Sequence, residues 1–175
     1  MSQIYQHRAR KRFGQNFLHD TGVIDRIIRA ISPRAEQHLL EIGPGQGALT
    51  ESLVNSGAKL DVIEIDLDLV SILKVKFALA PNFTLHEGDA LKFDFARLDP
   101  APASLRVVGN LPYNISTPLI FHLLDNAHLV HDMHFMLQKE VVERVAAKPG
   151  GGVWGRLSIM VRYHGRVEHL FNGGP

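Results

Sequence analysis

The stretch Leu39-Leu40-Glu41-Ile42-Gly43-Pro44-Gly45-Gln46-Gly47-Ala48-Leu49-Thr50-Glu51-Ser52-Leu53-Val54 decides the fold. A short apolar run enters a glycine-rich turn and a helical pattern leaves it, which reads as strand, turn, helix. Downstream, Leu60-Asp61-Val62-Ile63-Glu64-Ile65-Asp66 gives a second strand with an acidic end. Leu69, Val70, Leu73, Val75 and Phe77 continue it as a helix stopped near Pro81. Upstream, Val23, Ile24, Ile27, Ile28 and Ile31 follow Asp20 at helical spacing, and Ser32-Pro33 closes that helix.

The same alternation continues outward. Phe83-Thr84-Leu85-His86, followed by Gly88-Asp89-Ala90, predicts a third strand ending in an acid, and Asp99-Pro100-Ala101-Pro102-Ala103 a loop. A fourth strand is expected over 105–108, a helix over 117–125 with Pro118 in its first turn, and a fifth strand over 133–137. Beyond it, 140–147 reads as helix, Lys148-Pro149-Gly150-Gly151-Gly152 as a connection, 157–163 as helix and 165–171 as a last strand. Strands alternating with helices imply an α/β fold with a doubly wound, mostly parallel sheet.

Composition narrows the chemistry. The chain has 175 residues, 45% hydrophobic and 21% charged, enough for one compact domain with a core. It has no cysteine, which excludes disulfides, thiolate zinc sites and thiol nucleophiles. Its ten histidines lack His-Glu-x-x-His spacing, and His131 and His134 read as surface residues of a strand, so no metal is expected. No apolar run reaches membrane-spanning length and the N-terminus lacks a secretory core, so a cytoplasmic protein without a membrane partner is expected.

Net charge is only +1, but its distribution is uneven. Arg8, Arg10, Lys11 and Arg12 crowd the start of the chain without an acid among them. A basic run alone is more often a solvated, frayed terminus; the functional reading is an arm, residues 1–19, that neutralises phosphates of a nucleic acid. Residues 20–175 then form the catalytic domain, and the ending Asn172-Gly173-Gly174-Pro175 looks like a cut.

Gly43, Gly45 and Gly47 between a strand and a helix let a ligand approach the backbone, with helix N–H groups aimed at its negative end. Glu64, at the next strand's tip, is placed to accept both hydroxyls of a ribose. With Ala48 in the third slot the same residues satisfy the Gly-x-Gly-x-x-Gly/Ala dinucleotide pattern, so spacing alone does not separate a nicotinamide cofactor from S-adenosylmethionine. Asp89 is placed to accept an adenine amine and Glu41 to hold a cationic amino-acid tail, which leans toward the methyl donor. Any one of Glu41, Asp66 and Asp89 taken singly is more often a turn or helix cap.

Val107-Val108-Gly109-Asn110-Leu111-Pro112-Tyr113 sets an amide, a residue without an N–H and an aromatic ring after a buried strand. Gly109 is expected to free the backbone to turn, and Pro112 to keep helix from forming before Tyr113. Asn110 and Tyr113 then stand at a strand's carboxyl end, where open α/β sheets place ligands. The group such a motif grips is a planar amine. Asn110, Pro112 and Tyr113 are the candidate catalytic residues for that amine. An isolated Asn-x-Pro-Tyr would more often be a capped loop.

Taken together, Arg10-Lys11-Arg12-Phe13-Gly14-Gln15-Asn16-Phe17-Leu18, Glu41-Ile42-Gly43-Pro44-Gly45, Gly109-Asn110-Leu111-Pro112-Tyr113-Asn114-Ile115-Ser116-Thr117-Pro118 and Met136-Leu137-Gln138-Lys139-Glu140 resemble the ribosomal RNA adenine dimethyltransferases, from about residue 8 to about 170. The wording is nearest to the bacterial small-subunit branch, which dimethylates two adjacent adenines near the 3′ end of 16S rRNA. The resemblance implies a Rossmann-like methyltransferase fold, S-adenosyl-L-methionine as cofactor, 16S rRNA within the small subunit as partner, and a monomer. It implies donor contacts from Asn16, Leu18, Gly43 and Gly45, ribose binding by Glu64 and adenine binding by Asp89. Asn110 would lie at the donor–target junction, Tyr113 would stack on the flipped base, and Arg8, Arg10, Lys11 and Arg12 would bind RNA phosphates. It also implies that a C-terminal helical domain and a last sheet strand are absent from this chain. Other readings are a nicotinamide-dependent oxidoreductase, which leaves Asn110 to Tyr113 without a role, a non-catalytic RNA-binding assembly factor, and a DNA amino-methyltransferase.

Overall fold

The computed structural model describes residues 20–138, 157–161 and 172–173. Helix α1 (Thr21–Ile31) starts where the Asp20 carboxylate accepts the N–H groups of Gly22 and Val23 at 2.8 and 3.2 Å, a cap worth about 1 kcal/mol. It stops where Ser32 turns left-handed ahead of Pro33. Strands β1 (His38–Ile42), β2 (Lys59–Glu64), β3 (Phe83–Glu87), β4 (Leu105–Asn110) and β5 (Val130–Gln138) alternate with α2 (Ala48–Asn55), α3 (Leu67–Lys76) and α4 (Tyr113–Asp125). β6 (Leu157–Val161) and β7 (Asn172–Gly173) complete a sheet of order β3-β2-β1-β4-β5-β6-β7. β1 to β5 are parallel, and β6 and β7 are antiparallel to their neighbours.

Strands buried on both faces carry continuous apolar runs, and successive side chains go to opposite cores. Leu39, Leu60, Val62 and Val108 join Ile24, Ile27 and Ile31 of α1 and Leu49 and Leu53 of α2. Leu40, Ile42, Ile63, Leu105 and Val107 face the other way, against Phe93, Phe95 and Leu119, Ile120 and Leu123 of α4. Arg106 pins the amino end of the sheet: it donates to both Asp132 oxygens at 2.9 and 3.0 Å, to Gln37 Oε1 at 2.8 Å and to the Ile31 carbonyl at 2.7 Å.

Four expectations change. The segment read as helix over 157–163 is strand β6, pairing with β5; a short apolar run carries no decisive period, and the free edge of β5 supplies the ladder. α4 begins at Tyr113 rather than 117, which moves Pro118 beyond the first turn. Its missing N–H leaves the Asn114 carbonyl without a helical donor, at an exposed position. β2 ends at Glu64, and Asp66 caps α3 by accepting the N–H groups of Asp68 and Leu69. His131 is exposed as expected, but His134 is buried, 4.0 Å from Asp132, because the inner faces of β5 are both covered. The expected helix over 140–147, the connection 148–152 and the strand over 165–171 lie outside the described residues.

Candidate active site

The register of the parallel strands lines up their carboxyl ends. Ile42 pairs with Ile63 on one side and with Gly109 on the other, and Glu64 pairs with Glu87. The chain keeps this edge closed just past the strands: Gly43 N–H donates to the Ile63 carbonyl, Gly88 N–H to the Glu64 carbonyl and Leu111 N–H to the Met136 carbonyl. Gly43, Glu64, Asp89 and Asn110 therefore follow or end four neighbouring strands on one sheet edge. The strand order reverses between β1 and β4, the place where open α/β sheets leave a crevice. A Cβ built on Gly43 would lie 3.5 Å from the Asn110 carbonyl oxygen, so the glycine turn and the end of β4 adjoin at that point.

The glycines do different jobs. Gly43, Gly45 and Gly47 all have positive φ, at 67°, 60° and 91°, which other residues rarely adopt. Gly47 is more constrained by packing than by ligand access, because a Cβ there would meet Phe77 Cε2 at 2.8 Å and Leu73 Cδ2 at 3.1 Å. It lets α3 close against the start of α2. Gly109 was expected to free a turn, yet it lies inside β4, and a Cβ would come within 2.5 Å of the Ile42 carbonyl oxygen. Its role is close approach of β1 and β4 at the crevice.

Glu64 is 3% exposed, and its carboxylate is turned onto backbone donors: Oε2 accepts from Ile65 N–H at 2.7 Å and Asp66 N–H at 3.0 Å, and Gly45 N–H also bonds it. Burial raises its pKa to about 7 against those hydrogen bonds, and the Asp66 charge adds to the rise. A carboxylate has about four acceptor positions, so these three donors leave capacity for a ligand hydroxyl. Exposed apolar Ile65 stands next to it.

Glu41 does not present its carboxylate to the edge. It is 1% exposed and accepts the Thr50 hydroxyl on α2. Burial pushes its pKa up to about 8, the Thr50 bond opposes this, and Glu64 raises it further. Thr50 escaped sequence reading, since a threonine on a helix's buried face has no local signature. Asp89 is partly buried, and its Oδ1 accepts Leu91 N–H at 2.9 Å, leaving the second oxygen for another donor. Pro112 is the residue before α4; its carbonyl accepts Ile115 N–H at 3.2 Å through one of two lone pairs. Tyr113 opens α4, directly after the crevice, and its side chain lies outside the described part. Asn16, Leu18, Arg8, Arg10, Lys11 and Arg12 lie outside the described residues. Among the described residues no cluster of His, Asp and Glu has metal-binding geometry, and no helix is long and apolar enough to cross a membrane.

Comparison with known proteins bears on this geometry. The family model described as ribosomal RNA adenine dimethylase matches residues 6–174. The chain belongs to this family. A ribosomal RNA small subunit methyltransferase A of Pseudomonas syringae is 75% identical over all 175 residues. The chain spans 65% of that relative's length. Among solved structures, a dimethyladenosine transferase from Plasmodium falciparum superimposes with a TM-score of 0.67 at 35% identity, covering 78% of this chain and 48% of that one. The 23S rRNA methyltransferase ErmE does so with a TM-score of 0.67 at 29% identity, covering 77% and 53%. The fold is thus that of the Rossmann-like methyltransferases.

Proposed function

We propose that the protein moves methyl groups from S-adenosyl-L-methionine to the exocyclic N6 amine of adenine in ribosomal RNA. Its targets on this reading are the two adjacent adenines near the 3′ end of 16S rRNA in the small subunit. The observation that carries the reading is the junction of Gly43 and Asn110 at the strand-order reversal, with Glu64 and Asp89 along the same edge. One side of that junction suits a nucleoside with an amino-acid tail. The other ends in an amide and a free carbonyl lone pair.

The donor supplies a methyl already activated on sulfur, so the residues need to align rather than to act as strong acids or bases. Gly43 and Gly45, without side chains, let the amino-acid end of the donor lie against the backbone ahead of α2. Glu64 accepts from the ribose, and Asp89 accepts the donor's adenine amine with its remaining oxygen. Asn16 and Leu18 contact the donor. The target amine is a poor nucleophile because its lone pair is delocalised; the Asn110 side-chain oxygen and the Pro112 carbonyl accept its two hydrogens and turn that pair toward the methyl. Tyr113 stacks on the extruded base, recovering about 1–3 kcal/mol of the lost stacking. Arg8, Arg10, Lys11 and Arg12 hold phosphates without reading sequence. The protein works as a monomer in the cytoplasm.

Incubation with unmethylated small subunits and donor should yield dimethyladenosine by mass spectrometry, more strongly when the chain is extended to its relatives' length. Asn110→Ala should lower the single-turnover rate at saturating donor and RNA, and Tyr113→Ala should weaken RNA binding while leaving donor affinity unchanged. A chain and an extended form that both bind subunits but leave them unmethylated would favour the assembly-factor reading.

A further inference from the structure

The loop that carries Asp89 follows β3, and it is fastened at both ends. Gly88 N–H donates to the Glu64 carbonyl at 2.9 Å as the loop leaves the strand. Within it Asp89 accepts twice, at Oδ1 from Leu91 N–H at 2.9 Å and at its main-chain carbonyl from Lys92 N–H at 3.0 Å, so residues 89–92 form one closed turn. The chain then comes back against the sheet. Phe93 is buried in the core that Leu40, Ile42 and Ile63 share, and its ring meets the His86 ring edge-on, with centroids 5.3 Å apart. His86 stands three residues before Asp89 and Phe93 four after it, so this pair pinches the loop at its base.

Each side of the pinch has its own anchor. His86 Nε2 donates to Asp61 Oδ1 on β2 at 2.7 Å, which fixes the orientation of the imidazole. The Phe93 carbonyl accepts from His122 Nε2 on α4 at 2.8 Å, while its ring packs on Phe95 with centroids 5.9 Å apart and lies under the Arg97 guanidinium at 5.2 Å. A second imidazole, His38, bonds the other Asp61 oxygen at 2.6 Å, but it stands on β1, with β2 between it and β3. The two histidines serve the carboxylate alike and the loop differently.

We propose that His86 is a positioning residue which, through its ring contact with Phe93, sets the Asp89 loop and with it the preference for adenine in the donor. This rests on the methyl-donor reading, in which the second Asp89 oxygen accepts the adenine amine. A hydrogen bond discriminates between bases only when its acceptor is held where the donor hydrogen arrives. With the base of the loop pinched, the Asp89 carboxylate is held there. Released, it turns to water, and a base with the amine and one without it are bound nearly alike.

Calorimetric titration of the full chain with S-adenosylhomocysteine and with its 6-desamino analogue, which carries hydrogen in place of the adenine amine, tests this. Wild type should bind the amine-bearing compound about tenfold more tightly or better. His86→Gln keeps a donor for Asp61 but loses the ring. It should bring the preference to within about threefold, by weakening the amine-bearing compound while the affinity for the analogue holds. Phe93→Leu takes away the other ring and should act the same way, which covers the case in which His86→Gln does not fold. His86→Tyr keeps a ring on Phe93 and should keep the preference, and so should His38→Gln, whatever either does to the urea midpoint. A loss of stability alone does not move this ratio. An unchanged preference in His86→Gln or Phe93→Leu, or its loss in His86→Tyr or His38→Gln, overturns the proposal alone. A wild type that binds both compounds equally overturns the Asp89 role and the proposal with it, and one that binds neither overturns the methyl-donor reading.

Discussion

Buried acids occur at both ends of this sheet, and they are treated in opposite ways. At the amino end, Asp132 receives two hydrogen bonds from Arg106. In the middle, Asp61 receives Nε2 of His38 at 2.6 Å and of His86 at 2.7 Å. Burial would raise the Asp61 pKa, but the two imidazole bonds outweigh it and the group is lowered. At the carboxyl edge, Glu41 and Glu64 have only a hydroxyl and backbone N–H groups as described partners, and both are raised, to about 8 and about 7. At the amino end and in the middle of the sheet these acids are paired with Arg or His. At the carboxyl edge no described Lys, Arg or His is bonded to Glu41 or Glu64.

The comparison breaks most readily at Arg106. Asp132→Ala should cost about 3–5 kcal/mol of unfolding free energy in urea, because it strands a buried guanidinium. A loss below about 1 kcal/mol would mean that the amino end is no better paired than the carboxyl edge.

Next in size is the pH dependence. Glu41 and Glu64 bind a proton more tightly folded than unfolded, so their contribution is most favourable below pH 4.5 and is lost as pH rises toward 8. Urea midpoints without ligand should fall from pH 5.5 to 8.5, by at most about 1.4 kcal/mol per pH unit for each group. Glu41→Gln should flatten the slope. Asp61 has the reverse sign: its lowered pKa gives stability that is present above about pH 3.8 and disappears as acid protonates it. A midpoint that rises between pH 5.5 and 8.5 would contradict the contrast.

Smaller effects sharpen it. His38→Ala should cost about 1–3 kcal/mol by leaving a buried carboxylate oxygen short of a donor, measurable by thermal unfolding at pH 7. Lys74→Ala removes an exposed pair with Glu87, 2.5 Å long, and should change stability by less than about 1 kcal/mol. Pairing matters here in proportion to burial.

Much of this was legible in the chain. The glycine turn, the apolar strands and the acid at the tip of β2 are local patterns, and the order of elements from α1 to β5 follows from them. What the sequence misjudged depended on neighbours distant in the chain. β6 is a strand because β5 has an edge to pair with, not because its own residues exclude helix. Gly109 looks like a turn residue until the Ile42 carbonyl is placed beside it. Glu41 reads as a ligand contact until Thr50 covers it.

The residues by themselves determined the element types from α1 to β5, the parallel sheet and the family, because hydrophobic period, turn chemistry and motif wording are carried by contiguous stretches. Only the tertiary structure decided which acids are paired and which glycines serve packing, since burial and hydrogen bonding join residues from separate strands. Partnership, unlike periodicity, is a property of space rather than of sequence.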